Sequence, residues 1–210
     1  MGEGAGAAWK RVPLEAVATV AVGVTLGSEP GGDGTVELPY VRVANVLDGH
    51  IDIGGVERMR ILRSPRERFT LQKGDLLLTE DGDLGKLGRG ALWEAGSEPC
   101  LHQNHAFRVR CGDRMLSDFL ALHRAAPAGR AYFRTVGKQT TDHASVNSTQ
   151  VKAVPAPPVE IEEQERLLDP IRSVRKRTAA MDRQIAKART IQQTVVEDLP
   201  GGHRTYDSAA

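Results

Sequence analysis

Between positions 73 and 90 the chain reads KGDLLLTEDGDLGKLGRG, which sets Asp75, Glu80, Asp81, Asp83, Lys86 and Arg89 among glycines. Acids and a lysine in glycine loops admit three chemistries: a phosphate cradle, a metal-dependent nuclease, or the charged tip of a β-hairpin. A P-loop needs GxxxxGK followed by Ser or Thr, whereas Leu87 follows Lys86 and the glycine spacing differs, so that chemistry is excluded. A nuclease centre would require Asp75, Glu80 and Asp83 to converge with Lys86 on a metal. Asp75, however, follows a turn glycine at a strand start, and the other acids fall on a loop, a poor support for a metal. The hairpin reading needs less: a strand DLLLT, corners at Gly82 and Gly85, and a basic tip carrying Lys86 and Arg89.

A second group of chemistry-bearing residues lies in CLHQNHAFRVRC, where Cys100, His102, His105 and Cys111 are all zinc-binding types. Their spacing is not a usual zinc spacing, and no CxxC knuckle seeds a tetrahedral site. Gln103 and Asn104 suit recognition better than catalysis, because their amides form bidentate hydrogen bonds to base edges, adenine above all. Asp142, His143 and Ser145 are neighbours in sequence, but adjacent side chains rarely converge, and no GxSxG elbow supports a triad. No catalytic residue and no metal or cofactor is therefore expected.

The 210 residues suffice for one domain with an appendage and for a real hydrophobic core. A formal charge of +1 conceals blocks of one sign: seven Lys/Arg against two Asp from Arg108 to Lys138, and seven against one from Arg172 to Arg189. Glu160, Glu162, Glu163 and Glu165 oppose them. Local charge thus leaves room for a polyanion where global charge says little. Cys100 and Cys111 are too few for a disulfide framework. No apolar run approaches the roughly 20 residues of a membrane span, and the opening MGEGAGAAWKR lacks the hydrophobic core of a signal peptide. A reducing cytoplasm is the expected location, with no membrane partner.

The elements that must position these residues are mostly strands. WKRVPLEAVATVAVGVTLG (9–27) fits a short helix or strand, and residues 28–35 read as a loop. LPYVRVANVLDGHIDIGG (38–55) alternates Tyr40, Arg42 and Ala44 against Val41 and Val43, turns at Asp48-Gly49 and resumes with Ile51 and Ile53. Asp-Gly is a favoured hairpin corner because both positions tolerate positive φ. RFTLQKGDLLLTE and HQNHAFRVRC supply further strands, and short strands with glycine turns at this density predict a twisted or partly closed sheet. Residues 115–136 return to helical composition, interrupted near Pro127–Gly129.

The last part begins at VPAPPVEIEEQERLL, where three prolines in five positions make a stiff connector. Glutamates then crowd the first helical turns, where the helix dipole favours them. From Leu167 the positions Ile171, Val174, Thr178, Met181, Ile185, Ala188, Gln192, Val195 and Leu199 follow at steps of four and three, a heptad seam. A stripe this narrow needs a partner helix to cover it. Pro170 either opens a new helix capped by Asp169 or kinks one begun near Glu160, and the kink is preferred.

Four stretches in order, YVRVANVLDGHIDI, LQKGDLLLTEDGDLGKLGRGALW, LHQNHAFRVR and SVNSTQVKAVPAPPVEIEEQERL, resemble the specificity subunits of type I restriction–modification enzymes. The resemblance covers residues 9 to 198. Together with the pattern above it leads to an expected α+β fold: a mixed, strongly twisted sheet with short helices as a target recognition domain (9–153), a Pro-rich connector (154–159) and a long coiled-coil spacer helix (160–199); the residues 200–210 beyond the resemblance are expected to form a disordered tail. The resemblance further implies a non-enzymatic subunit that binds double-stranded DNA, reads one half of a bipartite site and positions a methyltransferase subunit, with or without a restriction subunit. A full subunit of that family holds two recognition domains and two spacer helices, and this chain shows one of each. A homodimer through the helix, or pairing with a second half subunit, would restore the full arrangement. The expected DNA surface comprises Arg42, Asn45, Lys86, Arg89, Gln103, Asn104, Lys138, Gln139, Thr140 and Thr141. The expected partner face is Leu167, Ile171, Val174, Met181, Ile185, Ala188, Val195 and Leu199. The competing readings are a DNA nuclease built on residues 75–86 and an assembly adaptor that reads no sequence.

Overall fold

The computed structural model describes residues 11–25, 27, 30–64, 66–82, 87–94, 96–139 and 144–198. Lys86, Thr140, Thr141, Leu199 and the 200–210 tail lie outside the described residues, as do Asp83, Gly85, Asp142, His143 and the side chains of Asp81 and Gln139. The chain divides into two compact units, Met1–Glu165 and Arg166–Ala210.

The first unit opens with β1 (Val12–Pro13), a 3-10 turn, β2 (Ala18–Ala21), β3 (Thr35–Val41) and β4 (Glu57–Leu62). It continues through β5 (Leu76–Thr79), β6 (Asp81–Gly82), β7 (Gly90–Leu92), β8 (Leu101–His102) and β9 (Ala106–Cys111). Helices α1 (Ser117–Ala125) and α2 (Pro127–Val136) follow, then β10 (Lys138–Gln139), β11 (Ala144–Ser145), α3 (Ser148–Lys152) and β12 (Pro155–Ala156). A single helix, α4 (Ile161–Asp198), completes the elements. Mixed sheets followed by a long C-terminal helix make the fold α+β.

The strands form sheets in the orders β2-β9-β5-β7, β4-β3-β8, β10-β11-β6 and β1-β12. Leu76, Leu77 and Leu78 are each at most 1% exposed. Three buried leucines in succession mean that both faces of the strand are covered, and β5 is also interior to its sheet, with β7 on one edge and β9 on the other. Val41, Val46, Leu71, Leu77, Trp93 and Cys100 form one core cluster, and Val24, Leu38, Tyr40, Met59 and Leu101 another.

Two local expectations change. The corner at Asp48-Gly49 forms, with Gly49 at φ 90°, but Ile51 makes only an isolated bridge to Val46. The ladder partner of β3 is β4, which registers Thr35 with Leu62 and Tyr40 with Glu57. Thr35 therefore starts a strand instead of ending a loop. HQNHAFRVRC is two strands, because residues 103–105 turn between β8 and β9.

Most of the Arg108–Lys138 basic block is paired within the fold, although only Arg108 and Arg124 are buried. Arg108 donates to the carbonyls of Arg68 and Thr70, Arg110 grips Asp75, Arg114 reaches the Ala16 carbonyl, and Arg124 and Arg130 share Asp48. Five of its seven cations thus serve the fold before any polyanion.

The long helix runs without interruption through Pro170, so Asp169 does not cap a separate helix. Pro170 contributes no amide donor to the helical ladder. Beyond the first turns its apolar positions face solvent: Val174 and Met181 are each 61% exposed and Ile185 49%.

Candidate nucleic-acid interface

Backbone hydrogen bonds join the segments that carry the described candidates. The Gln103 amide donates to the Val41 carbonyl at 2.9 Å, which sets the 103–105 turn beside Arg42. The Gln103 side chain strengthens this, its Oε1 accepting the Val43 amide at 3.3 Å. The Asn104 amide donates to Val24 at 2.9 Å, and Gly23 permits that approach, since a Cβ there would lie 1.9 Å from the His102 carbonyl oxygen. The Glu80 amide donates to His105 at 2.9 Å and the Val146 amide to Glu80 at 2.8 Å, tying the turn to the small sheet that holds Lys138. Finally, the Thr79 amide donates to the Arg89 carbonyl at 2.9 Å. Arg42, Arg89, Gln103, Asn104 and Lys138 therefore occupy linked segments, although 46 or more positions separate Arg42 from the other four in sequence.

These side chains are not equally available. Arg42 pairs with the Glu57 carboxylate, which also accepts the Tyr40 hydroxyl at 2.8 Å. Both partners are partly exposed, and such pairs are worth at most about 1 kcal/mol, so Glu57 is an exchangeable partner. Asn45 is different, being only 5% exposed. Its Oδ1 accepts the Arg42 amide at 2.9 Å and its Nδ2 donates to the Asp52 carbonyl at 3.1 Å. Both ends of that amide are committed to the turn, so Asn45 shapes the loop that carries Arg42. Gln139 joins Lys138 in β10, facing Ser145 and Ala144 of β11.

The acids of the opening stretch separate. Asp75 is 1% exposed, and its carboxylate takes the Arg110 Nε and Nη2 at 2.7 Å each together with the Gln72 amide at 2.7 Å. Glu80 meets His105 Nδ1 at 2.7 Å. Among the described residues no group of three or more His, Cys, Asp or Glu side chains is arranged to hold a metal. The cysteines and histidines of CLHQNHAFRVRC also part company. Cys100 is buried and its thiol is pushed up to about 11 by desolvation. His102 is fully buried, and its Nδ1 donates to the Phe69 carbonyl at 3.0 Å. Burial drives its pKa from the usual 6.5 down to about 4, the backbone hydrogen bond to Phe69 opposing, so the ring is neutral. His105 stays at the surface with Glu80.

Sequence reasoning overlooked Arg124, which is 4% exposed and hydrogen-bonds Gly88, Gly90 and Asp48. Desolvation lowers its pKa and Asp48 opposes the shift. Only its place in a helix otherwise apolar on that side, beside Phe119 and Leu120, marks it in the sequence.

No protein-family model matches the sequence. The chain is 25% identical over 172 residues to the specificity subunit of the EcoKI type I restriction enzyme of Escherichia coli K12, covering 81% of this chain and 35% of that subunit. Its fold is similar to an HsdS subunit from Thermoanaerobacter tengcongensis, with a TM-score of 0.53 at 17% identity over 93% of this chain and 46% of the other. The S subunit of a type I restriction–modification system from M. genitalium gives a TM-score of 0.56 at 12% identity, covering 92% and 46%. The chain thus spans about a third of the length of that curated relative. In sequence and in fold alike, it is similar to type I restriction specificity subunits, and what it matches is just under half of each solved one.

Proposed function

We propose that this chain is a half-length specificity subunit of a type I restriction–modification complex. It reads one half of a bipartite site in double-stranded DNA and holds a methyltransferase subunit, with or without a restriction subunit, where that site places it. The subunit itself performs no chemistry. One observation carries this reading: a recognition-type domain and a single long helix, together, match just under half of subunits described as type I specificity subunits. Arg42, Arg89 and Lys138 neutralise phosphates or approach base edges, Gln103 and Asn104 supply amides to bases, and Lys86, Gln139, Thr140 and Thr141 extend the same surface. Phosphate contacts set register and salt-sensitive affinity, and base contacts set sequence.

The helix supplies the second half. Its 38 residues span about 57 Å at 1.5 Å per residue, and its exposed seam is covered by an antiparallel copy of itself. Two recognition domains then read a two-fold symmetric split site, protein symmetry matching DNA symmetry.

Methylome sequencing tests this directly. Cells carrying the chain and a cognate DNA methyltransferase subunit are expected to gain a bipartite methylated motif that is absent without the chain. A symmetric motif identifies a homodimer and an asymmetric one a mixed pair. A stable complex that methylates no defined motif would refute the specificity role.

A further inference from the structure

Arg89 is carried on a backbone held at three consecutive carbonyls. Arg124 Nη1 donates to the Gly88 carbonyl at 3.2 Å and Nη2 to the Gly90 carbonyl at 3.0 Å. Between them the Arg89 carbonyl accepts the Thr79 amide at 2.9 Å, and Gly90 also accepts the Gly49 amide at 3.1 Å. Gly88 is pressed against α2: at φ 66°, a Cβ there would stand 2.3 Å from Phe133 Cγ. Asp48 fixes Arg124 in turn, its Oδ1 accepting Nη2 at 3.2 Å while its Oδ2 accepts Arg130 at 2.6 Å. The Arg89 side chain itself is half-buried. A planar guanidinium spans two carbonyls at once, which the point charge of lysine cannot do.

Resting on the DNA-reading role above, we infer that Arg89 is a specificity-determining side chain and Arg124 the positioning residue that fixes its orientation. A swinging arginine neutralises phosphate without regard to sequence. One presented from a fixed backbone makes the bidentate contact to O6 and N7 of a guanine in the major groove. The ligand class is therefore a G·C pair within the half-site.

The test begins with binding-site selection by the full-length chain from randomised duplexes, followed by competition measurements on every single-pair variant of the selected site. Wild type, Arg89→Ala, Arg124→Lys and the double variant are compared. Arg89→Ala is expected to lose about 10- to 100-fold discrimination at one G·C pair. Arg124→Lys should lose discrimination at that same pair and no other, and the double variant should lose no more than Arg89→Ala alone. Uniform weakening on all sequences, or losses at different pairs that add, overturns the inference. Arg89→Lys keeps the positive charge and leaves both main-chain bonds of Arg124 in place, so the test stands even if Arg124→Lys fails to fold. A loss of discrimination at that one G·C pair supports the inference, because lysine cannot make the bidentate contact, and unchanged discrimination in Arg89→Lys overturns it. A wild-type chain that selects no sequence refutes the DNA-reading role itself.

Discussion

At the scale of single residues, the polar groups inside this chain act on the main chain more than on one another. His102 donates to Phe69, Arg108 to Arg68 and Thr70, and Arg124 to Gly88 and Gly90. Such groups cost stability when their charge state is wrong for burial. His102 gives a measurable case. Its folded pKa near 4 lies below its ordinary 6.5, so between those pH values the unfolded chain binds a proton that the folded chain does not. Stability is therefore full above about pH 6.5 and falls by about 3 kcal/mol as the pH drops to about 4, then levels off. Urea midpoints taken across that range should decline in the wild type and decline less in His102→Gln. Parallel curves would mean that His102 titrates as it does in the unfolded chain.

At the scale of elements, the first turn of α4 is pinned by a glutamine. Gln164 is fully buried, its Oε1 accepting the Leu116 amide at 2.8 Å and its Nε2 donating to the carbonyls of Arg114 at 2.9 Å and Val159 at 2.6 Å. Gln164→Ala strands an amide and two carbonyls without protein partners. It is expected to cost about 1–3 kcal/mol, read as a lower denaturation midpoint with the far-ultraviolet helix signal retained. A midpoint unchanged from wild type would mean that water replaces the side chain without loss. This residue sits in the EEQER segment that carried the family resemblance, where composition marks only a helix start. The strand Leu76–Leu78, which pairs with Gly90–Leu92, was legible from its apolar run, but Gly82, expected as a corner, lies in strand β6; α4 was legible from its periodicity. The pairing of β3 with β4 was not, because a residue run that skips 15 positions before it pairs leaves no local signature. Nor was the burial of Asn45 visible, since an asparagine that closes a turn and one that reads adenine have the same letter and the same neighbours.

At the scale of the whole molecule, the proposed pairing rests on α4 finding a second helix. Val174, Met181, Ile185 and Val195 remain 49–61% exposed on a helix of 38 residues, and a narrow stripe is stabilising only when covered. Met181→Glu with Ile185→Glu places like charges at the centre of the seam. The pair is expected to convert a dimer to a monomer in sedimentation velocity while the circular dichroism of the β-rich unit is unchanged. A wild-type chain that sediments as a monomer at all concentrations removes the homodimer from the proposal and leaves a mixed pair.

The linkage of Arg42, Arg89, Gln103, Asn104 and Lys138 through backbone amides and carbonyls has a consequence for inheritance. Hydrogen bonds between main-chain groups do not depend on which side chains project from the same positions. Apart from Gln103, whose Oε1 also accepts the Val43 amide, these tips can therefore take substitutions without dismantling the frame beneath them. On the DNA-reading role proposed above, a new target is within reach of a few point changes at these positions, so long as Asp75, Arg110, Arg124 and Gln164 stay in place.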